Sequence, residues 1–157
     1  MSKETLNRNI SSWIQNSLPE IHQVQIKKIF IKENISKISE LENYISGTSF
    51  FDFVADYTLL CCGNGNHSIG LIQTCSSSIS LKDIGIAQVY ARISNPLFYY
   101  LISPKGFSKE ASFLFGNDNL CSNMFCYDGK YVVGFKMKDN ARIDIDSVLP
   151  LGIFNEW

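Results

Sequence analysis

Hydrophobic residues along the chain follow two rhythms. Leu6, Ile10, Trp13, Ile14 and Leu18 recur at helical spacing behind Ser2, a capping residue, and Pro19 marks a stop, which predicts an amphipathic helix near residues 3–18. Val24 to Lys32 (VQIKKIFIK) alternates as a strand does, but its phase changes at Lys27-Lys28: Val24 and Ile26 are even, Ile29 and Ile31 odd. A β-bulge reconciles the two halves. A second helical stripe, Ile35, Ile38, Leu41 and Ile45, follows Asn34 and ends at Gly47, although a strand and a loop fit the same residues.

Phe51 to Cys75 (FDFVADYTLLCCGNGNHSIGLIQTC) reads as a β-hairpin, with two apolar, β-prone runs meeting at Asn64-Gly65. That dipeptide suits the positive φ angles of a two-residue type I′ turn. The turn sets the register: Gly63 opposite Asn66, Asp56 opposite Gln73 and Val54 opposite Cys75. Because side chains two apart share a face, Asp56, Gln73 and Cys75 fall on one side of the sheet.

Beyond the hairpin, Ser80 and Asp83 open a predicted helix over Leu81 to Ser94 that is apolar around most of its circumference and therefore reads as well buried. Asn95-Pro96 stops it, and Leu97 to Ile102 supplies a strand parallel to the second hairpin strand through a right-handed crossover. Ser103-Pro104-Lys105-Gly106 then forms a loop at a strand's C-terminal end, where open α/β sheets place ligands. Residues 105–157 read as a β-rich extension: a short helix around Ser108 to Phe115, a hairpin turning at Asp128-Gly129 between Asn123–Tyr127 and Lys130–Met137, and a further turn at Asp139-Asn140 before Arg142–Val148.

With 157 residues, 45% apolar and 18% charged, the chain is sized for one globular domain, 1–157, with a proper core. A net charge of −1 gives no bulk attraction for a polyanion, so nucleic-acid binding requires a local patch. The N-terminus lacks an apolar leader core and no run is long enough for a membrane span, which reads as a soluble cytoplasmic protein without membrane association. Five cysteines argue against a complete disulfide framework. Cys61, Cys62, His67, Cys121 and Cys126 lack the spacing of a zinc site. An aromatic content of 13%, including Tyr99, Tyr100, Phe113, Phe115 and Trp157, favours contact with a protein partner or a second copy.

The order helix, strand, hairpin with Asp on its first strand, helix, strand resembles the core of the PD-(D/E)XK nuclease superfamily. The resemblance covers roughly residues 2–104 and implies a restriction-endonuclease-like α/β fold, a mixed β-sheet flanked by helices, with the β-rich part as a C-terminal extension. Asp56 stands at the family's first acid and Gln73-Thr74-Cys75 at its acid-x-Lys tripeptide. The family's chemistry implies Mg²⁺ held by Asp56 and Gln73 against a scissile phosphate, with a lysine stabilising charge. Here glutamine replaces the second acid and Cys75 the lysine. A thiol cannot serve as a cation, so Lys82 and Lys105 are the candidate substitutes. The expectation is a degenerate, non-catalytic nuclease-like domain that binds nucleic acid or serves as a subunit of an assembly. A divergent Mg²⁺-dependent nuclease for DNA or RNA and a structural protein-interaction module are the alternatives.

Overall fold

The N-terminal stripe becomes α1 (Lys3–Asn16), whose cap Ser2 accepts a hydrogen bond from the Thr5 N–H and whose residues Leu6, Ile10, Trp13 and Ile14 are buried. The computed structural model describes residues 1–116, 123–151 and 153, so Cys121 and Trp157 lie outside the described residues. Pro19 does not end the first helix. It lies in the opening turn of a second one, α2 (Leu18–His22), where the N–H that proline lacks has no intrahelical acceptor to serve.

Strand β1 (Gln25–Ile31) carries the expected bulge, its register to the next strand slipping between Ile26 and Lys28. Both isoleucines flanking it, Ile26 and Ile29, consequently pack on the α1 side. The second stripe does bury Ile35, Ile38 and Leu41, but in two short pieces: a 3₁₀ turn at Ile35–Lys37, capped by Asn34, and α3 (Ser39–Glu42). One continuous helix is broken because Ile38 leaves the helical region (φ −87°, ψ 86°).

Strands β2 (Tyr57–Gly63) and β3 (Asn66–Thr74) form the hairpin in the expected register, Gly63 opposite Asn66 and Tyr57 opposite Ile72, with Asn64 and Gly65 at φ 51° and 79°. The crossover helix α4 (Leu81–Ser94) leads to β4 (Phe98–Ser103), parallel to β3. After α5 (Lys109–Phe115) come β5 (Cys126–Tyr127), β6 (Lys130–Met137) and β7 (Ile143–Leu149). The architecture is mixed α/β: a seven-stranded sheet ordered β1-β2-β3-β4-β6-β5, with β7 also paired to β6, flanked by helices. The C-terminal part is not set apart as an extension, since β6 pairs in parallel with β4 and continues the same sheet. The strand expected at Asn123–Tyr127 contracts to β5, and residues 123–125 are helical. No helix among the described residues is long and apolar enough to cross a membrane.

Alternation along the strands divides the interior in two. Tyr57, Leu59, Cys61, Ile72, Tyr100 and Phe135 face α1, where Trp13 meets Tyr100 and Phe135 edge-on at 5.3 and 5.4 Å. Leu60, Leu71, Tyr99 and Leu101 face α4, packing with Ile84, Ala87 and Ala91. The expectation that α4 is buried around most of its circumference is corrected: Val89 is 53% and Ile93 54% exposed, and Leu81 and Ile86 are exposed beside them. A helix on one face of a sheet can bury only one side.

Gly70 lies opposite Phe98 in the parallel pair, and a Cβ there would sit 2.0 Å from the ring. Gly85, on α4, has nothing within 4 Å of such an atom. Gly70→Ala is expected to lower the unfolding free energy by about 1–3 kcal/mol through overpacking, while Gly85→Ala raises it by about 1 kcal/mol through helix propensity. Urea unfolding of the two variants checks both signs.

Candidate functional site

Asp56 directly precedes β2, and its carboxylate joins the two hairpin strands at their open end. A single oxygen, Oδ2, accepts from the Thr74 N–H at 2.7 Å, from the Thr74 hydroxyl at 2.7 Å and from the Gln73 side-chain amide at 3.0 Å. A carboxylate only accepts, so the Gln73 amide must turn its NH₂ group toward Asp56. The register therefore brings Asp56 and Gln73 together, with Gln73 acting as a donor to its neighbour.

This joint ends the ladder, and the hairpin does not reach back to Phe51. Val54 instead forms an isolated bridge with Asn34, whose side chain donates to Asp52 Oδ1 at 2.8 Å. Val54 and Cys75 are consequently not cross-strand partners. The Cys75 N–H goes to the Ile102 carbonyl at 2.8 Å, past the end of the parallel β3–β4 pair. The physical reason is local: Asp56 takes the Thr74 N–H with its side chain, so that donor is spent where the antiparallel ladder would continue.

Cys75 is buried, and burial pushes its thiol up to about 12, with the Asp83 and Asp56 carboxylates adding to the shift. It stays a neutral thiol at ordinary pH. Lys82 and Lys105 are exposed, and neither makes an ion pair or hydrogen bond to Asp56 among the described residues. Lys105 lines a separate polar pocket of about 330 Å³ with Lys136, Ser112 and Asp146. The residues at the tripeptide thus offer one carboxylate whose Oδ2 already holds three donors and whose Oδ1 is the one hard oxygen left over, an amide turned donor-first and a protonated thiol. Such a set does not suit Mg²⁺, which demands several hard oxygen ligands in near-octahedral order. No group of three or more His, Cys, Asp or Glu able to hold a metal occurs among the described residues. Cys61 is buried and Cys62 half-buried one residue on, with Cys126 away in β5, so the thiols do not assemble.

Three features escaped the sequence reading. Asp83, read there only as a helix-start acid, completes a capping box with Ser80 and also sits close enough to Cys75 to bear on its thiol. Thr58, Leu71 and Tyr99 form one row across the sheet, next to Asp56 and Gln73 on the α4 side. The Thr58 and Tyr99 hydroxyls are buried without a hydrogen bond to the described residues, as is the Gln88 amide of α4. Burial raises the Tyr99 hydroxyl well above the tyrosine range, and Asp56 and Cys75 are among the groups that add to it. Strand periodicity signals Thr58, two residues from Asp56; for Tyr99 the neighbouring strand had to be known. On the opposite face, His22 stacks on Phe98 at 4.3 Å and shares a 2.7 Å hydrogen bond with the Tyr100 hydroxyl.

Asp56→Ala leaves the Thr74 N–H and hydroxyl and the Gln73 amide without their shared acceptor. The expected loss of unfolding free energy is about 2–3 kcal/mol, with Asp56→Asn losing less, measured by urea titration. His22 supplies a pH test. Burial holds its imidazole down to about 4 from an ordinary 6.5, so on acidification the unfolded chain takes up this proton first. Its contribution to stability is complete above pH 6.5, falls by about 3 kcal/mol between 6.5 and 4, and does not change below. Unfolding titrations across that window should show the slope in the wild type and a flatter one in His22→Gln.

Compared with known proteins, this chain matches no family model, no curated protein and no solved structure.

Proposed function

We propose that the chain is a nuclease-like domain of the PD-(D/E)XK type whose catalytic position serves as a structural joint, and that it works by binding a partner without turnover. The observation that carries this reading is the state of Asp56, whose Oδ2 is occupied by three donors from Gln73 and Thr74. A catalytic carboxylate pair would hold a cation between two acids. Here the second position donates to the first.

The restriction-endonuclease-like assignment is supported by the element order: α1, then the antiparallel run β1-β2-β3, then α4 and a parallel β4 beside β3. Binding is supported by the uncovered apolar side of α4, with Leu81, Ile86, Val89 and Ile93 exposed. Together with a net charge of −1, that side favours a protein surface over a polyanion as the partner.

Two measurements test the reading. Incubated with single-stranded, double-stranded and branched DNA and with RNA in Mg²⁺ or Mn²⁺, the wild type should cleave no faster than Asp56→Ala. Activity present in the wild type and absent from the variant would establish the divergent nuclease instead. In the second, calorimetry on Gln73→Glu/Cys75→Lys should reveal Mn²⁺ binding that the wild type lacks, with some loss of stability from desolvating two charges. No gain in metal affinity would show that this face does not descend from a metal site.

A further inference from the structure

Strand β1 pairs only with β2 among the described residues, so its outer edge presents unpaired backbone donors and acceptors. Along that edge runs a groove of about 510 Å³, lined by Ile14 of α1, Pro19, Ile26 and Ile29, with Lys27 and Lys28. The bulge is what builds it. By slipping the register between Ile26 and Lys28, it turns Ile26 and Ile29 to the same side, and their side chains are only partly buried there.

Charge decides what fits. No acidic residue lies within β1; Lys28 is paired with Glu40, while Lys27 has no ion pair among the described residues. A second copy added antiparallel along this edge would bring the Lys27-Lys28 pair of one chain beside that of the other, and like charges facing across strands are destabilising. A basic or wholly apolar strand meets the same lysines without compensation. Lysines and a bulge on an edge are the usual means of repelling strands, but an acidic strand turns the repelling element into an attractive one.

We infer that the β1 edge is a docking site for an extended partner segment of alternating apolar and acidic residues, added as an eighth strand. Its backbone bonds to the free edge, its apolar side chains enter the groove beside Ile26 and Ile29, and a carboxylate pairs with Lys27. This site lies on the α1 side of the sheet and does not depend on the reading of Asp56.

The probe is the peptide acetyl-Val-Glu-Val-Glu-Val-Glu-Val-amide, titrated into ¹⁵N-labelled full-length protein up to millimolar concentration. Saturable amide shifts confined to residues 25–31 and to the groove are expected, with no binding by the peptide carrying lysine in place of glutamate. Lys27→Glu, an exposed substitution whose thermal melt should match the wild type, is expected to weaken the acidic peptide about tenfold. The proposal is overturned by any of four results: no saturable binding of the acidic peptide, equal binding of the lysine peptide, unchanged affinity in Lys27→Glu, or concentration-dependent self-association that shifts β1 without peptide. The last result would assign the edge to a second copy.

Discussion

The register of one hairpin governs this molecule. Asn64 and Gly65 adopt the positive φ angles that close β2 onto β3 with no freedom to slip, and a shift of one residue would turn every side chain of a strand to the other face. Leu59 and Ile72 face α1 and Leu60 and Leu71 face α4 only because that turn is tight. The same register brings Asp56 to the end of the ladder beside Gln73. The parallel strand β4 is then seated against β3 by a packing constraint of its own, the Phe98 ring lying over the backbone of Gly70.

At the hairpin's open end, the Asp56 carboxylate is engaged by hydrogen bonds and by no ion pair among the described residues. Three donors converge on Asp56 Oδ2, an arrangement that holds two strands together and leaves Oδ1 as the carboxylate's remaining acceptor. The adjoining Cys75 is neutral and buried, so nothing at the tripeptide supplies positive charge. An acid with neutral donors around it is a stable structural element. Two acids there would demand a counter-ion.

Two exposed features outside this joint differ in kind. The outer side of α4 is a convex apolar stripe, whereas the β1 edge combines open backbone, a groove and uncompensated lysine. An apolar stripe gives area without direction. A strand edge gives direction, because backbone hydrogen bonds fix the axis of whatever adds to it.

Much of the fold was legible in the sequence wherever local chemistry decides conformation. Ser2, Asn34 and Ser80 cap the elements they precede, the phase change at Lys27-Lys28 is a bulge, and Asn64-Gly65 fixes which residues face each other, bringing Asp56 beside Gln73. Each of these is an interaction between residues close in the chain. What tertiary structure decided involves groups distant in sequence. Spacing could place Asp56 near Gln73 but could not show the Thr74 N–H and hydroxyl consumed by its carboxylate, which ends the hairpin at Tyr57 and leaves Val54 to Asn34. The apolar circumference of α4 could not reveal that only one sheet face would cover it. Nor could the periodicity of the C-terminal part show that β6 enters the sheet beside β4, because a strand's pattern records which side is buried and not which neighbour it pairs with.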